Sequence, residues 1–462
     1  MVDEIKNEDL IEEKLGEEEI EQYLEEAVDE HDPEKLSEII DQVYPIDVAL
    51  AIEDYENEDL DYIIKNTDDE TLASIVEQAE EELTETMVGL MEPERLIRLF
   101  EYMSKDDVAD IVGEMKVLKR KQVINLMKFG DRKTIQDLLG YEKTSAGGIM
   151  TTEYISVKKN WTIENVIFKI KEIAPKTEVI DTIFAVDDKG VLVGSADLRD
   201  ILVAPRDSIL EQIIDDNIVS VSPETDQEEV ALLVSKYDLK VIPVVSPRGT
   251  ILGIITVDDI IDVINEEHTE DMMYMGGASA EEDIDSSIFE SVRMRLPWLI
   301  INLATAFAAS YVVSQFESTI AKVTALAAAM PIVTGMGGNA GSQQLAIMIR
   351  AIALGEVEFK DGLPLILKQI SVGIVNGAFT GLIAGIVLYF MFGNPYLGII
   401  IFLSMIMNMI MAGLVGVSIP LILKALNIDP ALASAIFITT ATDMFGFFIF
   451  LRLATVLIDK LV

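Results

Sequence analysis

The residue best placed to do chemistry in this 462-residue chain is Asp443, in the stretch Ile438-Thr-Thr-Ala-Thr-Asp-Met-Phe-Gly-Phe-Phe-Ile. It stands in the middle of the last apolar run, 431–458. A carboxylate at bilayer depth costs at least about 2.5 kcal/mol, so it must face a pore, a partner charge or water. Arg350 and Lys368 lie toward helix ends, and Arg452 is about two and a half turns further along the same helix. No base is therefore placed to neutralise Asp443. With Thr439, Thr440 and Thr442 around it, the aspartate marks one helix face as wet, which is the pattern of a cation path through a membrane.

A second polar stretch lies inside an apolar run, Pro331-Ile-Val-Thr-Gly-Met-Gly-Gly-Asn-Ala-Gly-Ser-Gln-Gln. Gly335, Gly337, Gly338 and Gly341 allow close helix approach, the usual work of small residues between membrane helices. Asn339, Gln343 and Gln344 supply amides, which either hydrogen-bond between helices or line a pathway. Asp429, in Asn427-Ile-Asp-Pro, is read equally as a helix N-cap and as an entrance ligand.

A third feature is carboxylate density. Asp258, Asp259, Asp262, Glu266, Glu267, Glu270 and Asp271 fall within fourteen residues that contain no Lys or Arg. Asp259, Asp262 and Glu266 share a helical face and repel one another. Divalent cations would draw such surfaces together, and their loss would let them spread, a two-state element biased by ligand. From Pro297 to Val462 acids and bases cancel at seven each, so the whole formal charge of −45 sits on residues 1–296. That charge repels nucleic acid and anionic lipid and attracts metal cations. A halophile's acidic surface is the competing explanation, but the uneven placement argues against it as a full account. The chain has no cysteine and two histidines, so any bound metal meets oxygen: Mg²⁺, Ca²⁺ or Mn²⁺.

The elements that must position these groups follow from periodicity. Residues 1–140 read as a superhelical stack of short amphipathic helices, with start signals at Asp32-Pro33, a Thr67–Glu70 capping box, Glu92-Pro93 and Ser104. The acidic start carries no apolar signal segment, so the N-terminal part is expected in the cytosol. Residues 141–205 and 206–268 change to β-branched runs and repeat each other at an offset of 59: Gly194 aligns with Gly253 and Asp200 with Asp259. Residues 269–296 read as a charged connecting helix. Five apolar runs follow within 297–462 (297–315, 323–350, 364–392, 396–424 and 431–458), each long enough for a hydrocarbon core of about 30 Å. The placement of Arg293, Arg295, Arg350, Lys360 and Lys424 puts the N-terminal domains in the cytoplasm and the C-terminus outside.

The repeat resembles a tandem pair of cystathionine-β-synthase (CBS) domains, regulatory β-α-β-β-α modules. Ile149-Met-Thr opens the first copy and Gly253-x-x-Thr256-x-x-Asp259 closes the second. That resemblance implies an adenosine-nucleotide site at Thr256 and Asp259, with ATP as a modulator. The first copy keeps Asp200 but has Asp197 where Thr or Ser is usual.

Nearly the whole chain resembles the MgtE magnesium channels, through Ala146-Gly-Gly-Ile-Met-Thr, Phe316-Glu-Ser, Gly335-Met-Gly-Gly-Asn-Ala-Gly-Ser-Gln, Asn427-Ile-Asp-Pro and Thr442-Asp443. The fold class implied is multidomain: an all-α N domain, α/β tandem CBS domains and a five-helix transmembrane domain. The resemblance further implies a homodimer, multi-pass in the plasma-membrane bilayer, whose pore is lined by the second and fifth spans. Asp443 would select hydrated Mg²⁺, with Asn339, Thr439 and Thr440 beside it. Regulatory Mg²⁺ would be sensed by Asp226, Glu228, Asp238, Asp259, Asp262, Glu267, Glu270 and Asp271, with Asp429 at the entrance and Asp106, Asp107 and Asp110 in the N domain. A plug helix over 272–294 would release the pore when Mg²⁺ is scarce. Ser434-Ala435-Ile436 departs from the family's small polar or glycine-proline step, which leaves discrimination against Co²⁺, Ni²⁺ or Mn²⁺ open.

No Walker loop, phosphorylatable aspartate motif or nucleophile constellation is present, so no enzymatic step is expected. The alternatives are a secondary transporter exchanging Mg²⁺ for Na⁺ or H⁺, and a membrane-anchored sensor that conducts nothing. A pure sensor has no need of Asp443.

Overall fold

The computed structural model describes residues 16–173, 177, 180–280, 282, 284, 286–357, 359–426 and 428–461. Asn427, part of the Asn-Ile-Asp-Pro motif, lies outside them. The chain divides into two compact units, 1–261 and 262–462.

Among the described residues the first unit begins with ten short helices, α1 to α10, from Glu17–Asp29 to Phe129–Leu138. Helices two places apart pack together: Pro45–Ala51 on Asp69–Glu77, that on Pro93–Leu99, and that on Val117–Leu126. This alternation winds the expected superhelical stack and leaves each helix end needing partners for its last carbonyls. Bases supply them. Lys119 Nζ donates to Val88 O, Gly89 O and Met91 O, while Arg120 reaches Met115 O and Arg132 reaches Met127 O. Asp32 and Ser104 cap their helices as their spacing predicts. The box expected to start at Thr67 is shifted by one residue. Asp68 is the N-cap, accepting from the Glu70 and Thr71 amides.

The α/β part follows. Its first copy runs β1 (Ser156–Lys158), α11 (Ile163–Ile173), β2 (Thr182–Val186), β3 (Leu192–Asp197) and α12 (Leu198–Val203). β2 lies between β1, parallel to it, and β3, antiparallel. The second copy has α13 (Gln227–Tyr237), the antiparallel pair β4 (Val241–Val245) and β5 (Ile251–Thr256), and α14 (Val257–Gly276), with a parallel bridge Val221–Val244 where a first strand would stand. The segment after the helical stack joins the second copy: Thr151 and Ile254 exchange backbone bonds of 2.8 and 2.9 Å.

The expected connecting helix over 272–294 is two helices. α14 ends at Gly276, where Gly277 takes φ 74° and the Ala278 amide returns to Met273 O. That left-handed glycine closure is a Schellman stop. A new helix, α15 (Ile288–Ser314), starts at a Ser287–Glu290 capping box and continues through Pro297 into the first apolar run.

The second unit also holds α16 (Glu317–Lys322), α17 (Ala325–Ala353), α18 (Gly362–Phe392), α19 (Pro395–Ala425), α20 (Pro430–Val456) and α21 (Ile458–Leu461). Among the described residues four helices are long and apolar enough to cross a membrane: α15, α18, α19 and, from Ser434, α20. The glycines and amides of Gly335–Gln344 keep α17 below that standard. α18 and α19 meet along a stripe of glycines four residues apart, Gly373, Gly377, Gly381 and Gly385. Any Cβ there would run into α19 backbone at Met409, Ile406, Phe402 and Gly398. Small residues at this spacing bring two helix backbones together. The core of the unit gathers Leu326, Ala329 and Val333 of α17, Ile400, Ile401 and Met405 of α19, and Phe450, Leu451 and Ala454 of α20.

Candidate functional site

α17 and α20 meet closely because Gly341 has no side chain: a Cβ there would strike Ile438 and touch Thr442. That contact sets Asp443, the next residue, at the depth of the polar stretch of α17. Asn339, Ser342 and Gln343 are exposed on one face of α17, while Gly337, Gly341 and Gln344 are buried on the other. Asp443 is half-buried, and its carboxylate meets no hydrogen-bond donor and no base among the described residues.

The threonine hydroxyls of the Asp443 face also serve their own helix. Thr439, Thr440 and Thr442 each donate to carbonyls three or four residues back on α20. Thr442 is also fully buried. This back-bonding uses the hydroxyl proton and leaves the oxygen lone pairs of half-buried Thr439 and Thr440 able to accept. Asp443 is thus left as the unpartnered polar group of that face.

In the first unit, carboxylates far apart in sequence converge. Ser104 Oγ donates to Asp107 Oδ2 at 2.6 Å, and the Ser104 amide donates to Glu77 Oε1 at 3.2 Å. Asp106 is buried at 8% exposure, and its Oδ1 has no partner. Thr256 Oγ1 donates to Asp259 Oδ2 at 2.5 Å. Lys105, 3.7 Å from Glu153, is the base paired within the group. The groups raise one another's proton affinity. Burial, then the charge of Asp107, pushes Glu77 up to about 7. Burial, opposed by the Thr256 bond and helped by Asp106, pushes Asp259 up to about 6. Asp106, Asp107 and Glu153 are also shifted upward, burial being the main cause in each. Sequence reading missed Glu77 and Glu153. Each comes from a separate element, and only the fold brings them to Asp106.

A second cluster lies in the other unit, on the last turns of α14 and the start of α20. Burial, then the charges of Asp429, Glu267 and Glu270, pushes Asp271 up to about 6. Asp429 is the N-cap of α20, accepting from the Ala431 amide at 2.7 Å, and its charge also acts on Asp271. Asp226 caps α13 and accepts from the Glu228 amide, and Asp238 ends the same helix at φ 51°. Asp110 and Asp262 are exposed.

Among the described residues no three Asp, Glu or His side chains stand close enough to hold a metal ion together. The donors nevertheless suit Mg²⁺, which keeps several waters and binds through one or two carboxylates. The orphaned Oδ1 of Asp106 is an acceptor of that kind. At the nucleotide candidates, Thr256 is buried and bonded to Asp259, Asp200 is exposed, and Asp197 is committed to capping α12 through the Arg199 amide.

The sequence pattern of the family described as divalent cation transporter (MgtE) matches residues 330–453, that of the MgtE intracellular N domain 43–144, and that of the CBS domain 146–207 and 210–266. Magnesium transporter MgtE of Thermus thermophilus is 35% identical over 362 residues, 77% of this chain and 80% of that protein. The chain belongs to the MgtE family. Magnesium transporter MgtE of Bacillus subtilis is 32% identical, covering 78% of this chain and 80% of its own length. Two crystal structures match with TM-scores of 0.51. The soluble part of a magnesium transporter is 28% identical and covers 55% of this chain and 99% of its own. The cytosolic domain of the Mg²⁺ channel MgtE in complex with ATP is 32% identical and covers 53% and 99%. As an MgtE family member the chain is a magnesium transporter with apolar helices in its C-terminal part, preceded by an N domain and a CBS pair.

Proposed function

We propose that this MgtE protein is a homodimeric Mg²⁺-selective channel for Mg²⁺ uptake across the plasma membrane, closed from the cytosolic side by Mg²⁺ itself. The carrying observation is Asp443, an unpartnered carboxylate deep in α20 at the depth of the exposed amide face of α17. A carboxylate so placed serves a cation crossing beside it. Paired across a two-fold axis, two such groups hold an ion that keeps its waters, as Mg²⁺ does. In this reading α17 crosses the bilayer as a fifth span, and its glycine and amide content reflects a face turned to the pathway.

The clusters around Asp106 and Asp271 are the sensors. Buried carboxylates that raise one another's proton affinity also gain from a bound divalent cation, which relieves their repulsion. Cytosolic Mg²⁺ thereby favours the compact, closed arrangement. The ATP complex of the related cytosolic domain supports ATP as a modulator, bound at Thr256 and Asp259.

The test is Mg²⁺ flux into liposomes with internal Mg²⁺, voltage, Na⁺ and H⁺ set independently. A channel gives flux that follows voltage, ignores Na⁺ and H⁺ gradients, and falls when Mg²⁺ is raised on the side of the CBS domains. Flux that requires a counter-ion gradient overturns the channel in favour of an exchanger.

A further inference from the structure

Asn408, on α19, takes no part in the pathway or the acidic clusters, yet it is fully buried between α17 and α20. Its amide occupies space left by two glycines. A Cβ on Gly446 of α20 would stand 2.8 Å from Asn408 Nδ2, and one on Gly337 of α17 would overlap the same atom. From there Nδ2 donates to Val333 O on α17 at 2.9 Å. Oδ1 meets no donor among the described residues.

The neighbours make this placement informative. Val333 is two residues past Pro331, where the ring removes a backbone donor and loosens α17. Gly446 is three residues past Asp443, on an adjoining face of α20. One side chain from α19 therefore braces both helices next to the groups of the pathway. An apolar side chain of the same size would fill that space without burying an amide, which is costly unless its hydrogen bonds are made. Filling space is thus not what the amide adds.

We propose that Asn408 is a positioning residue of the ion pathway: it tethers α17 through Val333 and spaces α20 through Gly446, so fixing the gap between Asn339 and Asp443. The inference rests on the pore reading above. A pathway that passes a hydrated cation discriminates by the width and field of its lining, so a residue that sets the gap sets selectivity.

The experiment compares Mg²⁺ and Ca²⁺ flux in liposomes for the full-length wild type, Asn408→Leu, Ser404→Ala and Asp443→Ala, with assembly checked by size-exclusion chromatography. Asn408→Leu keeps the branched outline of the side chain, at a somewhat larger volume, and removes the donor. It is expected to assemble and conduct, with the Mg²⁺-to-Ca²⁺ flux ratio falling about tenfold, the scale of one hydrogen bond. Ser404, one turn earlier on α19, is equally buried with an unpartnered hydroxyl, and its alanine variant leaves the ratio unchanged. An unchanged ratio in assembled Asn408→Leu overturns the proposal. If that variant does not assemble, Gly446→Ala presses a methyl on the amide from α20 and must lower the ratio; a wild-type ratio there overturns it equally. Wild-type flux in Asp443→Ala removes the pore reading and this inference with it. A silent Asp443→Ala beside an unaltered Asn408→Leu removes the role of Asn408 alone.

Discussion

The Thr256 hydroxyl donates to Asp259 Oδ2 at 2.5 Å, and through that bond one aspartate belongs both to the CBS nucleotide position and to the acidic cluster. On the reading proposed above, ATP and Mg²⁺ would meet at this single carboxylate. Asp259→Asn is expected to raise the Mg²⁺ level for half-closure about tenfold, the scale of one contact to a charged group, and to weaken ATP binding as well. Thr256→Val weakens ATP binding and keeps closure by Mg²⁺. Flux and calorimetric ATP titration on the two full-length variants check this; an Asp259→Asn protein with wild-type closure removes Asp259 from the sensor.

The same cluster gives a pH dependence with a defined sign. Glu77 is raised from 4.5 to about 7 and Asp259 from 3.8 to about 6. A carboxyl whose folded proton affinity is raised contributes stability that is full below its unfolded pKa and lost as pH rises through the folded one. Between pH 6 and 8 the metal-free protein therefore loses stability as pH rises. Mg²⁺ binds the deprotonated form and competes with protons. Thermal unfolding in detergent with a chelator should show a higher Tm at pH 6 than at pH 8, and added Mg²⁺ should raise Tm more at pH 8. A Mg²⁺ increment larger at pH 6 contradicts the assignment.

Asp443→Ala should lower Mg²⁺ flux at least about a hundredfold, as expected for a group in direct line with the conducted ion. The variant should elute and melt like the wild type, because no bond among the described residues depends on this carboxylate. Loss of assembly in place of flux would make Asp443 structural.

Gly377→Leu should destabilise the membrane part by roughly 1–3 kcal/mol or more, the range for overpacking a tight contact. A Cβ at 377 already lies 2.5 Å from Ile406 Cα, and backbone cannot step aside as a side chain does. Leucine at exposed Phe379 should cost little. Tm in detergent separates the two.

How much was legible in the sequence depends on how local the signal was. Asp443 was legible because a lone carboxylate in an apolar run needs no fold to be conspicuous. Asp32 and Ser104 were legible because capping is written within three residues. The break after Gly276 was also written, as Gly276-Gly277, but the run of charges on both sides read as one continuous helix. Thr439 and Thr440 carry a weaker signal, because a hydroxyl in sequence does not say whether it serves water, its own helix or both. Glu77 and Glu153 were silent: each sits in an ordinary amphipathic stretch, and only packing carries them to Asp106. Asn408 was equally silent, since its meaning lies in Gly337 and Gly446 on two other helices.

The glycine stripe between α18 and α19 brings the two backbones together with few side chains between them. Two helices locked backbone to backbone behave as a single stiff beam, without the slack that rotameric side chains give a joint. On the channel reading proposed above, a movement that widens or narrows the pathway is a swing of α17 and α20 against this beam.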